Sequence, residues 1–197
     1  QQFPNDQMRV QLVKESRGHT IETLNAQVIE AINQALEKAR TAPTVKAYAN
    51  GINTHQEWNK NGEPDGWEVR GSLVLEGTDT AAVAHLAGQL ASTLQLDGVS
   101  YQLSTARRQA EENNLIQQAA NAFRARASAT ATAFGYKGYE IKQFRLDSNH
   151  RSDSDSIGVY SVMASRSIES ERQRPSVPGE GGDTTITLTV RGTIELR

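Results

Sequence analysis

The chain has 197 residues, with 21 Lys and Arg against 23 Asp and Glu, a formal charge of -2, and no cysteine. This near balance removes the electrostatic case for a nucleic-acid partner, whose phosphates call for a basic excess. The missing thiols exclude disulfides, thiolate metal centres and a cysteine nucleophile. No apolar run approaches the roughly 20 residues that cross a bilayer, so no transmembrane segment is expected. The opening Gln1-Gln2-Phe3-Pro4 lacks the charged-then-apolar order of a signal peptide. Because Gln1 is not an initiator methionine, the sequence is expected to begin where a signal peptide was removed or at a tag boundary.

In chain order, Met8, Val10 and Leu12 alternate with Arg9, Gln11 and Val13 as in a first strand. Thr20 can cap a helix to about Arg40 with Ile21, Leu24, Val28, Ile32, Ala35 and Ala39 along one side. Strands follow at Val45 to Thr54 and Trp67 to Leu75, and the turn-rich 59–66 between them predicts a hairpin. Thr78 or Asp79 opens a second helix through Val83, Leu86, Ala87 and Leu90, and Val99 to Leu103 reads as a fourth strand. A long third helix then carries Ile116, Ala120, Phe123, Ala127, Ala131 and Phe134 on one narrow, alanine-rich face, and Gly135 supplies its left-handed stop. An extended segment at Tyr139 to Leu146 follows. The last strand, Thr184 to Leu196, is apolar at Ile186, Leu188, Val190, Ile194 and Leu196 and polar on the other parity.

This order predicts an α+β fold: a largely antiparallel sheet with helices packed on one face, in split βαβ-like units ordered β-α-β-β-α-β-α-β-β. One domain over 1–197 is expected, with a long polar excursion at about 147–183 that holds a brief apolar patch, Ile157 to Met163. An excursion of that length needs a reason, and contact with a partner subunit supplies one.

Candidate chemistry is sparse. His19, His55, His85 and His150 fall on four segments, and only His55 with Glu57 has the period-two spacing that puts two ligand types on one strand face. Asp153-Ser154-Asp155-Ser156-Ile157-Gly158 opens like a calcium loop but has Ile157 at the fifth position and Ala164 at the twelfth, where oxygen ligands are needed. Gly179-Glu180-Gly181-Gly182 precedes a strand and lacks the Lys-Ser/Thr ending of a phosphate loop, so it reads as a turn. No Gly-x-Ser-x-Gly elbow is present. Glu111 and Glu112 suit the helix dipole, Arg124 and Arg126 point apart, and Arg172 and Arg174 read as linker charges. Trp58 and Trp67 flank the hairpin turn and suggest cross-strand packing, or else an exposed pair that meets a partner or glycan. No catalytic, cofactor-binding or metal-ligating residue is assigned, and no cofactor is expected.

Several stretches together resemble a known family. They are Gly66-Trp67, Leu73-Val74-Leu75-Glu76 with Asp79, the run Leu115 to Ala127, Phe134-Gly135 with Tyr139, and the ending Val190-Arg191-Gly192-Thr193-Ile194-Glu195-Leu196. From about Arg9 to Leu196 the chain is similar to the SIMPL-domain, or DUF541, family. The resemblance implies an α+β domain of bacterial envelope proteins, exported by a cleaved signal peptide to the periplasm or beyond. It also implies an ill-defined role tied to stress and envelope physiology, with self-assembly of some members. The family has no established catalytic residues to carry over, and the acidic, serine-rich Asp147 to Ile157 departs from its pattern. The expected function is therefore a non-enzymatic envelope protein acting as a homo-oligomer or through an envelope partner. The alternative is a small-molecule or metal-binding periplasmic enzyme whose site includes His55 and Glu57.

Overall fold

A computed structural model of the chain describes residues 1–152 and 181–197. Its elements are β1 (Gln2–Pro4), β2 (Gln7–Gly18), α1 (Ile21–Ala39), β3 (Lys46–Trp58), β4 (Pro64–Gly77), α2 (Thr80–Leu90), β5 (Gln95–Gln102), α3 (Thr105–Ala133), β6 (Tyr139–Ser152) and β7 (Asp183–Leu196). The fold is α+β and every described strand pairing is antiparallel. The predicted order is met, with one short strand, β1, added ahead of it. The strands form two sheets, ordered β3-β4-β2-β5 and β1-β7-β6. The described residues accordingly divide into two compact units, one spanning Asp6–Gln102 and the other built from Gln1–Asn5, the stretch from Leu103 through β6, and Gly182–Arg197.

In the Asp6–Gln102 unit, α1 and α2 cover one face of the four-stranded sheet. Leu24, Val28, Ile32, Ala35 and Ala39 of α1 are buried, as their spacing predicts, against Val10, Leu12, Val69, Leu73 and Leu75 of the central strands. Thr20 occupies the N-cap of α1 without a side-chain cap bond, whereas the Asp79 carboxylate accepts from the Ala82 N–H at 3.0 Å and closes the start of α2. The hairpin between β3 and β4 turns on Asn59, whose Oδ1 accepts from the N–H groups of Asn61 and Glu63 at 2.9 and 3.0 Å.

In the other unit, β7 is the middle strand and α3 lies across its apolar parity. Ser104 caps α3 by accepting from the Arg107 N–H at 3.3 Å. The helix ends in a Schellman motif: Tyr136 N–H bonds Ala131 O at 2.9 Å, Gly135 N–H bonds Thr132 O at 3.0 Å, and Gly135 sits at φ +79°. The expected helix face holds through its middle and departs at its two ends. Leu115, Ala127 and Ala131 are the buried residues of α3, Ile116 is only half-buried, and Phe134 is exposed beyond the last turn. The Phe123 ring lies so close over β7 that a Cβ on Gly192 would stand 2.7 Å from its Cζ.

The end of β6 differs from expectation. β6 continues through Ser152, because Asp147–Ser152 pairs in register with Thr189–Thr184, so the polar stretch begins as paired strand. The Ile157 to Met163 patch lies outside the described residues.

Candidate functional site

The His55 and Glu57 pair lies where the period-two spacing put it, on the face of the four-stranded sheet opposite the helices. His55 stands across from Glu68, and Arg17 of β2 binds Glu57 at 3.0 Å and Glu68 at 2.6 Å. Three strands therefore converge on one guanidinium. The hydrogen bond and charge of Arg17 hold the Glu68 carboxyl below the usual carboxylate range, with a smaller pull from His55. The Glu57 and Glu68 carboxylates are thus engaged by a cation of the chain itself. Among the described residues no three His, Asp or Glu side chains converge in metal-ligating geometry.

This network carries a pH prediction. A carboxylate with a depressed folded-state pKa stabilises the fold above its unfolded value, near 4.5, and that contribution is lost as pH falls through the lower folded value. Glu68→Gln is therefore expected to lower the unfolding midpoint at pH 7, and its difference from the parent should shrink as pH falls below the unfolded value and vanish once the lower folded value is passed. A difference independent of pH, measured by urea unfolding, would contradict the Arg17–Glu68 assignment.

The remaining sequence-marked residues do not gather into a site. His19 is exposed, and His85 on α2 shares a hydrogen bond with Gln89 at 3.1 Å. Trp67 pairs with Gln56 and packs on the core, while Trp58 pairs with Pro64 and is exposed, so the two are not cross-strand partners. Arg124 and Arg126 line different grooves beside α3, as their spacing implied. Glu111 and Glu112 sit beyond the first helical turn, too far in for the dipole to explain them. The calcium-like loop and Arg172 and Arg174 lie outside the described residues, as does the first half of the Gly179–Gly182 segment, whose last residue takes φ +63° just before β7.

A polar groove of about 410 Å³ opens between α1 and β2, lined by Lys14, Ser16, Gln27, Glu30, Gln34 and Thr93 among others. Smaller grooves flank α3 in the other unit. One of about 240 Å³ is lined by Ala120, Phe123, Arg124, Ile141 and Phe144, and there the Phe123 and Phe144 rings meet edge to face at 6.0 Å.

The most distinctive surface is the β6 side of that unit. On the parity that faces α3, Ile141, Phe144 and Leu146 are 42%, 49% and 37% exposed, because α3 lies over β7 and leaves β6 half covered. The spacing of Tyr139 to Leu146 predicts a strand here but not that the strand ends a sheet. β6 is 14 residues long, and among the described residues it pairs with β7 alone, so no described strand takes up the main-chain donors and acceptors on its other side.

A model of the SIMPL family, described as a protein of unknown function (DUF541), matches residues 1–194. No curated protein matches. Among solved structures, similarity is found to an amidase of the hydantoinase/carbamoylase family from Burkholderia vietnamiensis, at 13% identity over 51% of this chain and 28% of that one, with a TM-score of 0.29. AtUAH in complex with glyoxylate gives 9% identity over 48% of this chain and 26% of that one, with a TM-score of 0.27. The chain thus spans little more than a quarter of these proteins, and similarity of this size carries no statement about activity.

Proposed function

The chain belongs to the SIMPL family, a protein family of unknown function (DUF541), and from that premise we propose that it is a non-enzymatic, exported protein of the bacterial envelope that works by assembling with itself or with an envelope partner, in stress or envelope physiology. The observation that supports assembly is the open edge of β6 with Ile141, Phe144 and Leu146 exposed beside it. A long, unpaired edge strand next to an apolar strip is a template for strand addition, and natural proteins usually blunt such edges or use them. Among the described residues the carboxylate with a clear perturbation, Glu68, owes its shift first to its hydrogen bond and salt bridge with Arg17, which is a structural role. Export to the periplasm or beyond rests on what the family resemblance implies.

The test is the absolute mass of the purified chain by size exclusion with light scattering over a wide concentration range. A discrete multimer that persists on dilution is the expected result. A monomer at every concentration, with no envelope protein retained on the immobilised chain, would overturn the reading.

A further inference from the structure

We propose that the partner of β6 is β6 of a second copy of this chain, paired antiparallel about a two-fold axis at Leu146. The inference rests on the assembly reading and specifies its register. In a two-fold pairing each residue faces one whose number completes a fixed sum, so the choice of centre decides every contact. Centring on Leu146 sets Leu146 opposite itself, Arg145 opposite Asp147 of the second copy, and Asp147 opposite the second copy's Arg145. It also uses nearly the whole strand, Glu140 facing Ser152. Centring one residue earlier would set Arg145 against Arg145.

The charges within the unit point the same way. Across the β6–β7 ladder Glu140 faces Glu195 and Arg145 faces Arg191, two like-charge pairs that cost free energy when left alone. The first is neutralised inside the chain: Lys142 binds Glu140 at 3.3 Å and Glu195 at 2.7 Å, and Arg197 also binds Glu140. The second is not. Arg145, Arg191 and Asp147 are exposed and form no ion pair among the described residues. Asp147 of a second copy, arriving directly across from Arg145, supplies the missing carboxylate, and symmetry supplies it twice. On the other parity, the same pairing places Phe144 and Leu146 of both copies side by side between the two α3 helices, withdrawing their exposed surface from water. The two three-stranded sheets become one of six strands, ordered β1-β7-β6-β6-β7-β1.

The chain has no cysteine, so single cysteines report the register directly. Residues facing each other across an antiparallel ladder have Cβ atoms about 4.5–5.5 Å apart, near disulfide reach, while diagonal ones are about 7–8 Å apart. Leu146→Cys in the full chain is expected to give a disulfide dimer in high yield under mild oxidation, and Arg145→Cys and Asp147→Cys little. Arg145→Asp or Asp147→Arg alone should weaken self-association roughly tenfold or more, and the double exchange should restore it. Circular dichroism checks that each variant is folded. A multimeric parent in which Leu146→Cys fails to cross-link, in which Arg145→Cys cross-links better, or in which the double exchange stays weak would overturn this register while leaving assembly intact. A monomeric parent would overturn the β6–β6 pairing, and would overturn the assembly reading as well if the immobilised chain also retained no envelope protein.

Discussion

Leu73→Ala is expected to destabilise the Asp6–Gln102 unit by about 3–5 kcal/mol, the cost of a large cavity in a site that cannot collapse. Leu73 is fully buried and lies on β4, which is flanked by β3 and β2, where it pairs with Leu12 on one side and Ala49 on the other. Above it are the apolar stripes of α1 and α2, so the truncated side chain would leave space bounded by rigid elements on every side. Urea unfolding followed by tryptophan fluorescence is the appropriate measurement, because Trp58 and Trp67, the chain's two tryptophans, both lie in this unit. Ser72→Ala, one residue away on the opposite face, should stay within about 0.5 kcal/mol of the parent. If Leu73→Ala lost less than about 1 kcal/mol, the packing of the two helices on β4 would be wrong.

Gly71→Ala is expected to cost about 1–3 kcal/mol through overpacking, an unusually large effect for adding one methyl group. A Cβ at Gly71 would stand 2.5 Å from Val28 Cγ1, with Ile32 and Ile52 Cγ1 atoms at 3.5 and 3.6 Å. Val28 is fully buried and β-branched, so it cannot swing to another rotamer to make room. The absent side chain is what lets α1 approach the sheet at this point. The Val28→Ala variant should be destabilised on its own by the cavity it opens, yet in the double variant the two losses should fall well short of their sum, since each change relieves the other. Simple additivity in denaturant unfolding would show that α1 does not touch β4 at Gly71.

The parts of the fold legible in the sequence are those where side chains alternate between water and core. The buried stripe of α1, the Asp79 cap, the turn at Asn59 and the parity of β7 all follow from local spacing. On α3 the spacing does place Ala127 and Ala131 in the core, but the start of the helix is less legible, because the alanines and short polar residues there give several nearly equal faces. Leu115 is buried where Ile116 was expected. The extension of β6 over Asp147–Ser152 was hidden because main-chain pairing with β7 does not require apolar side chains. The division into two sheets was hidden too, since it depends on which distant strands pair. The same holds for the surface at β6: Ile141, Phe144 and Leu146 among charged neighbours look like any amphipathic strand until the topology places them at an edge. Period-two spacing places His55 and Glu57 on one face, but Arg17 and Glu68, the partners that define their chemistry, come from two other strands.

The pairing of β7 with both β1 and β6 has a consequence for how the protein is made. Gln1 and Ile186 exchange backbone hydrogen bonds across a separation of 185 positions, and the whole Asp6–Gln102 unit is threaded between β1 and α3. Read N-terminus first, the stretch Asp6–Gln102 has all its strands and helices once β5 is present and can close with contacts local to that stretch. The three-stranded sheet has no middle until β7 is synthesised, so β1 and β6 must wait, with the apolar face of α3 uncovered. Loop closure over such a distance is slow more than it is costly, since its entropy grows only logarithmically with length. The interval before β7 arrives is therefore when the nascent chain has most need of a chaperone, and substitutions in β7 should reduce yield in cells more than they reduce the stability of the finished protein.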